Sequence, residues 1–504
     1  MTDRISGCIP ALFAAACILV GCNKPDDPGT DPVLVETELQ KEYRCVNTFA
    51  YNMMSTYYLW NKEVAEDLKS WGAYEEPAPK VLAVRYKNSS GEDVDRWTQL
   101  TDDYSSFTSS MEGTGKTYGF DYVLYYADAS RTNINMVVVY VYDGTPAQKA
   151  GLSRGNVITE LDGTRISAKN YTELVTGMSV SNSCTFTLQG GSKLAMNSVA
   201  MYVNPVHTVR TLSLGNVRVG YLHFTSFTPD CYQELIDACR QFKEYGVTHL
   251  VLDLRYNGGG LVETEHTLAS MLAPEADVKA GSVYEKTVYN SILTDAGWGN
   301  SYSLTSEFDF SAYGRHYVYS TADANIGIEK LYVLVGAYSA SASECLINSL
   351  KQYVPVVLLG EKTYGKYCTG IVYSAAEWYD DVKSQLSAQD YAEGKKYSDN
   401  YGIYVMIGRY ADKNGNTGCM PDGFQPDYKV QDNPLDGYQL GDPAETMFAA
   451  ALNLISGGKS AAARNQERAA STSAMLPVGS GVRSSLPGRV IGDTGHDFHY
   501  LNVF

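Results

Sequence analysis

Three short stretches carry residues whose types and spacing suit chemistry. In Ser339-Ala340-Ser341-Ala342-Ser343-Glu344, small hydroxyl residues separate an apolar strand pattern, Leu331 to Val335, from a helix pattern that runs to Leu350. One reading is structural: Ser341 and Glu344 have the spacing of a capping box. The other is chemical. A serine at a strand-to-helix junction is placed as a nucleophile, with helix N-terminal N–H groups beside it to hold an oxyanion. The second stretch is Leu250-Val-Leu-Asp-Leu-Arg255, followed by Tyr256-Asn257-Gly258-Gly259-Gly260. Three glycines after a buried strand give freely aimed N–H groups. A phosphate loop is excluded, because Gly-Lys-Ser/Thr is missing and the spacing is not GxGxxG. An oxyanion-binding turn and a purely structural tight turn remain. The third stretch is Pro355-Val-Val-Leu-Leu-Gly360, followed by Glu361-Lys-Thr-Tyr-Gly-Lys366.

The elements must bring these together. Leu331–Val335, the helix and Pro355–Gly360 form a strand–helix–strand unit, which predicts neighbouring parallel strands. Ligands in open parallel sheets bind beyond the carboxyl ends of strands, and all three stretches lie there. None of the seven histidines follows a strand end in a comparable context. A lysine can replace histidine as the base when burial leaves it some neutral amine. Lys366 is the candidate, against the plain reading of a solvated loop lysine.

The 504 residues predict several domains. Arg4 precedes an apolar run, Ile9 to Val20, too short to span a bilayer and suited to a secretory signal. Leu19-Val20-Gly21-Cys22 resembles a bacterial lipobox, which implies lipid on Cys22. Residues 1–21 are therefore read as signal and 22–38 as a Pro-rich tether. The spacing of Val46, Phe49, Met53, Tyr57 and Trp60 predicts a helical N-terminal domain over 39–113, with helix from Glu38 to Leu68. Residues 114–206 read as β. There, Gly144-Thr-Pro-Ala-Gln-Lys-Ala-Gly-Leu152 and Gly155-Asn-Val-Ile-Thr-Glu-Leu-Asp-Gly163 resemble the PDZ signature. That resemblance makes Tyr118, Gly119, Phe120 and Asp121 the loop that receives a peptide carboxylate. Alternating strands and helices over 207–457 predict a mostly parallel sheet, closed by a helix that Gly441-Asp-Pro-Ala-Glu-Thr446 starts, with Pro443 at the start, and that ends near Ile455. Residues 458–504 read as a loose tail.

The net charge of −17 argues against a nucleic-acid partner. The 40 tyrosines are a weak sign of peptide or sugar contact. Without the signal and the lipidated Cys22, seven cysteines remain, with no CxxC, which is neither a disulfide framework nor a zinc site. Most are expected buried and free.

"LDLRYNGGG", "SASASE" and "GEKTYGK" resemble the C-terminal-processing, or tail-specific, serine peptidases with a Ser–Lys dyad and a PDZ domain. The resemblance implies a multidomain α+β fold: a small helical N-terminal domain, a PDZ-like β domain and an α/β core of crotonase-like ββα repeats. It implies Ser341 as nucleophile, Lys366 as general base, and backbone N–H groups of Ala342 and Gly259 as the oxyanion site. It implies no cofactor and no metal, and unfolded or C-terminal peptide segments as partners. The positions from which family members orient the lysine hold Gln352 and Gly370 here, so Gln352 is the candidate third member. The whole reads as a lipid-anchored endopeptidase of the bacterial envelope, on the outer membrane. The rivals are a non-cutting peptide-binding scaffold and, from the tyrosines, a sugar-binding lipoprotein. The lipobox generates a direct test. Cys22→Ser is expected to release the protein from the membrane fraction or leave its signal uncleaved; mature protein of unchanged mass and membrane partition would contradict it.

Overall fold

A computed structural model describes residues 36–111, 116–299, 301–312, 315–418 and 421–457. The signal, Cys22, the tether, Cys419 and the tail lie outside the described residues. The protein is mixed α/β.

The element that positions the site is a six-stranded sheet, in chain order β1 (Val206–Leu214), β2 (Val217–Phe224), β3 (His249–Asp253), β4 (Lys330–Val335), β5 (Val356–Gly360) and β6 (Tyr428–Lys429). β1 and β2 form an antiparallel hairpin; every later pairing is parallel. Four helices belong to it: α1 (Tyr232–Tyr245), α2 (Val262–Leu272), α3 (Ala342–Leu350) and α4 (Thr446–Ile455). α1 stops at Gly246, which takes the left-handed conformation (φ 75°) that favours glycine after a helix.

Side chains alternate across the strands with period two. Leu250, Leu252, Leu331, Val333 and Val335 meet α1, α2 and α3 through Phe242, Leu268 and Leu346. Val251, Tyr332, Leu334 and Leu359 meet Met447, Phe448 and Leu452 of α4. The sheet is thus covered on both faces, as parallel sheets require. Leu334 pairs with both Asp253 and Leu359, and Val335 with Gly360, so β3, β4 and β5 end in register. Their three following segments leave from one edge.

α4 begins at Thr446, not at Gly441, because the Glu445 side chain caps it by accepting the Phe448 N–H at 2.9 Å. Within the same compact unit, residues 120–197 hold an antiparallel sheet of strands Phe120–Tyr126, Ile134–Val141, Val157–Leu161, Thr164–Arg165, Ser183–Leu188 and Lys193–Asn197. Its core joins Phe120, Tyr122, Val138, Ile158 and Phe186 to Val175 and Met178 of the helix Tyr171–Val180.

Residues up to 106 cluster with 287–300 and 368–409 as a second compact unit. Its first helix, Glu38–Asn52, passes into a π-helical turn, Met53–Tyr57. The helix expected to reach Leu68 is interrupted here and resumes only at Ala65–Lys69. Val46, Phe49, Met53, Tyr57 and Trp60 are all buried, and the Phe49 and Trp378 rings lie 5.9 Å apart. The apolar spacing therefore reports burial correctly even where the helix breaks. No helix among the described residues is long and apolar enough to cross a membrane.

Candidate active site

Ser341 occupies the turn between β4 and α3 with φ 56° and ψ −119°, a left-handed conformation that a serine adopts only at a cost. Such strain marks nucleophiles set on strand-to-helix turns. Its N–H is shared between the Lys366 carbonyl at 3.0 Å and Glu344 Oε2 at 3.2 Å. Ser341 is 6% exposed and Lys366 2%, so both sit beneath the surface. The glycine turn after β3 packs directly on the serine. A Cβ at Gly259 would lie 2.7 Å from Ser341 Cβ and 3.0 Å from the Ala342 nitrogen, and Gly259 has φ 104°. Only glycine fits.

The clustered hydroxyls have separate tasks. Ser339 Oγ donates to the Leu254 carbonyl at 2.8 Å, and Ser343 Oγ to the Asn257 carbonyl at 3.0 Å. These two tie the serine turn to the segment after β3, and Ser341 makes no such tie. Glu344, fully buried, joins the third segment. Its Oε1 accepts from Thr363 Oγ1 at 2.5 Å and from the Gly365 N–H at 2.8 Å, while its Oε2 takes the Ser341 N–H. The capping-box spacing is real, but the carboxylate also clamps the lysine loop to the helix start. Sequence reasoning saw the cap and missed the clamp; Thr363, between the glutamate and lysine of "GEKTYGK", was the available signal.

The structure therefore brings Ser341, Ala342, Gly259 and the Lys366 backbone together. It does not bring Gln352 to them. Gln352 Nε2 donates to Asp412 at 2.8 Å and its Oε1 accepts from Asn414 at 2.9 Å. The reason is helical geometry. Eleven residues along a helix amount to about 16 Å, which puts Gln352 beyond the far end of α3. At Gly370 a side chain would meet the Met406 methyl at 2.3 Å, so that position holds no orienting group either. The Gly259 N–H donates to Asn257 Oδ1 at 2.8 Å, so one expected oxyanion donor is occupied within the turn. The Ala342 N–H is the first of α3, a position with no partner inside the helix.

Tyr118, Phe120 and Asp121 turn their side chains inward. Tyr118 packs on Phe186 with ring centroids 5.2 Å apart, and Asp121 accepts the Tyr140 hydroxyl at 2.7 Å. The Gly119 N–H donates to Thr117 Oγ1 at 2.9 Å.

Beneath the glycine turn lies a buried ionic network that sequence reasoning did not find. Arg255 donates to Asp253 (2.8 and 2.9 Å), Glu445 (2.7 and 3.0 Å) and Asp432 (2.8 Å). Arg154, from the segment read as PDZ-like, donates to the Tyr256 hydroxyl at 2.9 Å and to Asp432 at 3.0 Å. Tyr221 donates to Asp253 at 2.7 Å. Burial opposes ionisation of Asp432, but Arg154 and Arg255 beside it outweigh burial and hold its carboxyl down at about 2.

Residues 218–430 match the model of peptidase family S41. The chain is 26% identical over 346 residues to a carboxyl-terminal-processing protease of Synechocystis, covering 66% of this chain and 68% of the relative. It is 27% identical over 286 residues to a probable CtpA-like serine protease of Staphylococcus aureus, covering 56% of this chain and 52% of that relative, about half its length. Among solved structures, a putative S41 protease from Bacteroides fragilis shares the fold with a TM-score of 0.60 at 23% identity, covering 82% of this chain and 98% of that one.

Two outcomes follow from the geometry. Glu344→Gln leaves one oxygen to serve three donors, so at least one buried donor is stranded or reorganised. A loss of about 1–3 kcal/mol is expected by urea unfolding, with slower labelling of Ser341 by a serine-reactive phosphonate. Asp432 contributes stability above its unfolded pKa, near 4, and that contribution is lost as pH falls toward its folded value of about 2. About 2 kcal/mol is at stake, and Asp432→Asn should flatten the stability curve across that window.

Proposed function

We propose that the protein, whose residues 218–430 match the peptidase family S41 model, is a serine peptidase that cuts extended or unfolded polypeptides with Ser341 as nucleophile and Lys366 as general base. Ser341 Oγ attacks the scissile carbonyl carbon while neutral Lys366 Nζ takes its proton. The same proton then goes to the leaving amine, and water repeats the cycle on the acyl-enzyme. The Ala342 N–H is the ready oxyanion donor, at the N-terminal end of α3 where the helix dipole favours negative charge. Gly259 joins it once its N–H leaves Asn257. The observation that carries this reading is the strained Ser341 turn, with its N–H on the Lys366 carbonyl and both residues buried. Burial disfavours a lysine ammonium and so favours the neutral base.

The substrate is a protein segment, carboxyl-terminal ends included, as the name of the Synechocystis relative says of that protein. Residues 117–204 govern its capture or access, in keeping with the Arg154 contacts to Tyr256 and Asp432 behind the glycine turn. A lipid on Cys22 holds the enzyme in the bacterial envelope, at the outer membrane. One observation favours a second reading, a peptide-binding scaffold that does not cut: neither Gln352 nor Gly370 orients the lysine.

Digestion of an unfolded protein separates the two. Wild type should cut it, and Ser341→Ala and Lys366→Ala should not, with their folds intact. Lys366→Arg should be as inactive as Lys366→Ala, since a guanidinium does not release its proton in this range. Activity should rise toward mildly alkaline pH as the lysine deprotonates. Near wild-type turnover in Lys366→Arg would reduce the lysine to a positive charge, and an inert wild type would favour the scaffold.

A further inference from the structure

Where α2 and α3 meet the strand Val283–Tyr289, four side chains with metal-ligand chemistry converge. Glu265 and His266 come from α2, Glu285 from the strand Val283–Tyr289, and Cys345 from α3, one turn after Ser341. Glu265, Glu285 and Cys345 are 0% exposed and His266 is 8%. Cys345 Sγ lies 3.0 Å from Glu285 Oε2, and His266 Nε2 lies 2.9 Å from the same oxygen and 3.5 Å from Glu265 Oε2. The donor atoms of Glu265, Glu285 and Cys345 all fall within 4.8 Å of one another.

Two features separate this cluster from an ordinary buried salt bridge. First, Glu265 Oε2 and Glu285 Oε1 are buried and accept no hydrogen bond. A carboxylate oxygen without a hydrogen bond away from water is costly, and a cation bound to these oxygens would remove that cost. Second, two carboxylates and a thiol face a single imidazole, a donor set rich in anionic ligands.

We propose that Glu265, His266, Glu285 and Cys345 form a structural site for a divalent transition ion of the zinc type. Tetrahedral zinc with bonds of about 2.0–2.3 Å separates its ligand atoms by roughly 3.3–3.7 Å; Glu265, Glu285 and Cys345 already lie within 4.8 Å of one another, and His266 Nε2, 3.5 Å from Glu265 Oε2, supplies the fourth ligand after a side-chain adjustment. One imidazole, one thiolate and carboxylate oxygens suit a borderline-soft ion better than magnesium or calcium. The outer layer is built as well: the Tyr284 hydroxyl donates to Glu265 Oε1 at 2.5 Å, orienting that carboxylate. The Tyr302 ring stands 5.0 Å from the His266 ring, on the cluster's least buried member. Binding releases the Cys345 thiol proton and any proton on His266 Nε2 to solvent, and needs no oxidant or reductant. The ion would pin α2, which follows the glycine turn, to α3, which follows Ser341.

The test uses the full chain, stripped with a chelator and titrated with Co2+ or Zn2+ alone. One Co2+ per chain is expected, with a thiolate-to-cobalt charge-transfer band in the near ultraviolet. Cys345→Ser should abolish the band, and Glu285→Gln should weaken Co2+ binding at least tenfold. Cys239→Ser, at a buried cysteine on α1, should leave both unchanged. Zn2+ but not Mg2+ should raise the melting temperature of the stripped wild type, a reading that needs no variant to fold. A wild type with no thiolate band and no melting shift would overturn the proposal and leave a cluster that holds only protons. So would a band that survives Cys345→Ser.

Discussion

The site depends on one buried carboxylate. Glu344 faces three donors, the Ser341 N–H, the Thr363 hydroxyl and the Gly365 N–H, and so joins the segment after β4 to the segment after β5. These hydrogen bonds, rather than any covalent link, join the Ser341 turn to the loop that carries Lys366. The left-handed Ser341 turn is costly on its own. It persists because the clamp, the Lys366 carbonyl and the packing of Gly259 all hold it from different sides.

The glycine turn is supported in turn from beneath. Arg255 is among the largest fully buried side chains, and three carboxylates surround it. A buried guanidinium is tolerable only when paired and hydrogen-bonded throughout. Glu445 does double duty: it caps α4 on one face of the sheet and pairs with Arg255. Arg154 adds the segment read as PDZ-like to the same network, through Tyr256 and Asp432. The charge that stabilises the turn thus also ties two sheets of one compact unit. Elsewhere along α3, Cys345 meets Glu285, which also holds His266.

The serine cluster shows how position separates chemistry from scaffolding. Ser339 and Ser343 have their hydroxyls on the Leu254 and Asn257 carbonyls, so they act as fasteners between adjacent strand ends. Ser341, between them, is the residue with the unusual backbone. Side chains alone do not distinguish the three; the turn does.

Much was legible in the sequence by itself. Nearly unbroken apolar runs located β3, β4 and β5, because burial on both faces of a parallel sheet leaves a strong local signature. Chain order then placed Ser341, Lys366 and the glycines on one sheet edge, since crossover connections leave parallel strands no other arrangement. The π-turn at Met53–Tyr57 and the late start of α4 were not legible: the first preserves the apolar spacing, and the second depends on Glu445, whose partner Arg255 lies 190 residues away. A comparable separation, 177 residues between Arg255 and Asp432, hid the ionic network, whereas the clamp joins Glu344 to Thr363 across only 19 residues. Gln352 erred in the opposite sense, since a match in spacing ignored the rise of the helix between it and Ser341. Residue types and local period determine which groups are available. Which of them meet, and which hydrogen bonds they have left to give, is decided only when distant segments are packed together, because an unpaired charge or donor has a large cost only once the fold has removed it from water.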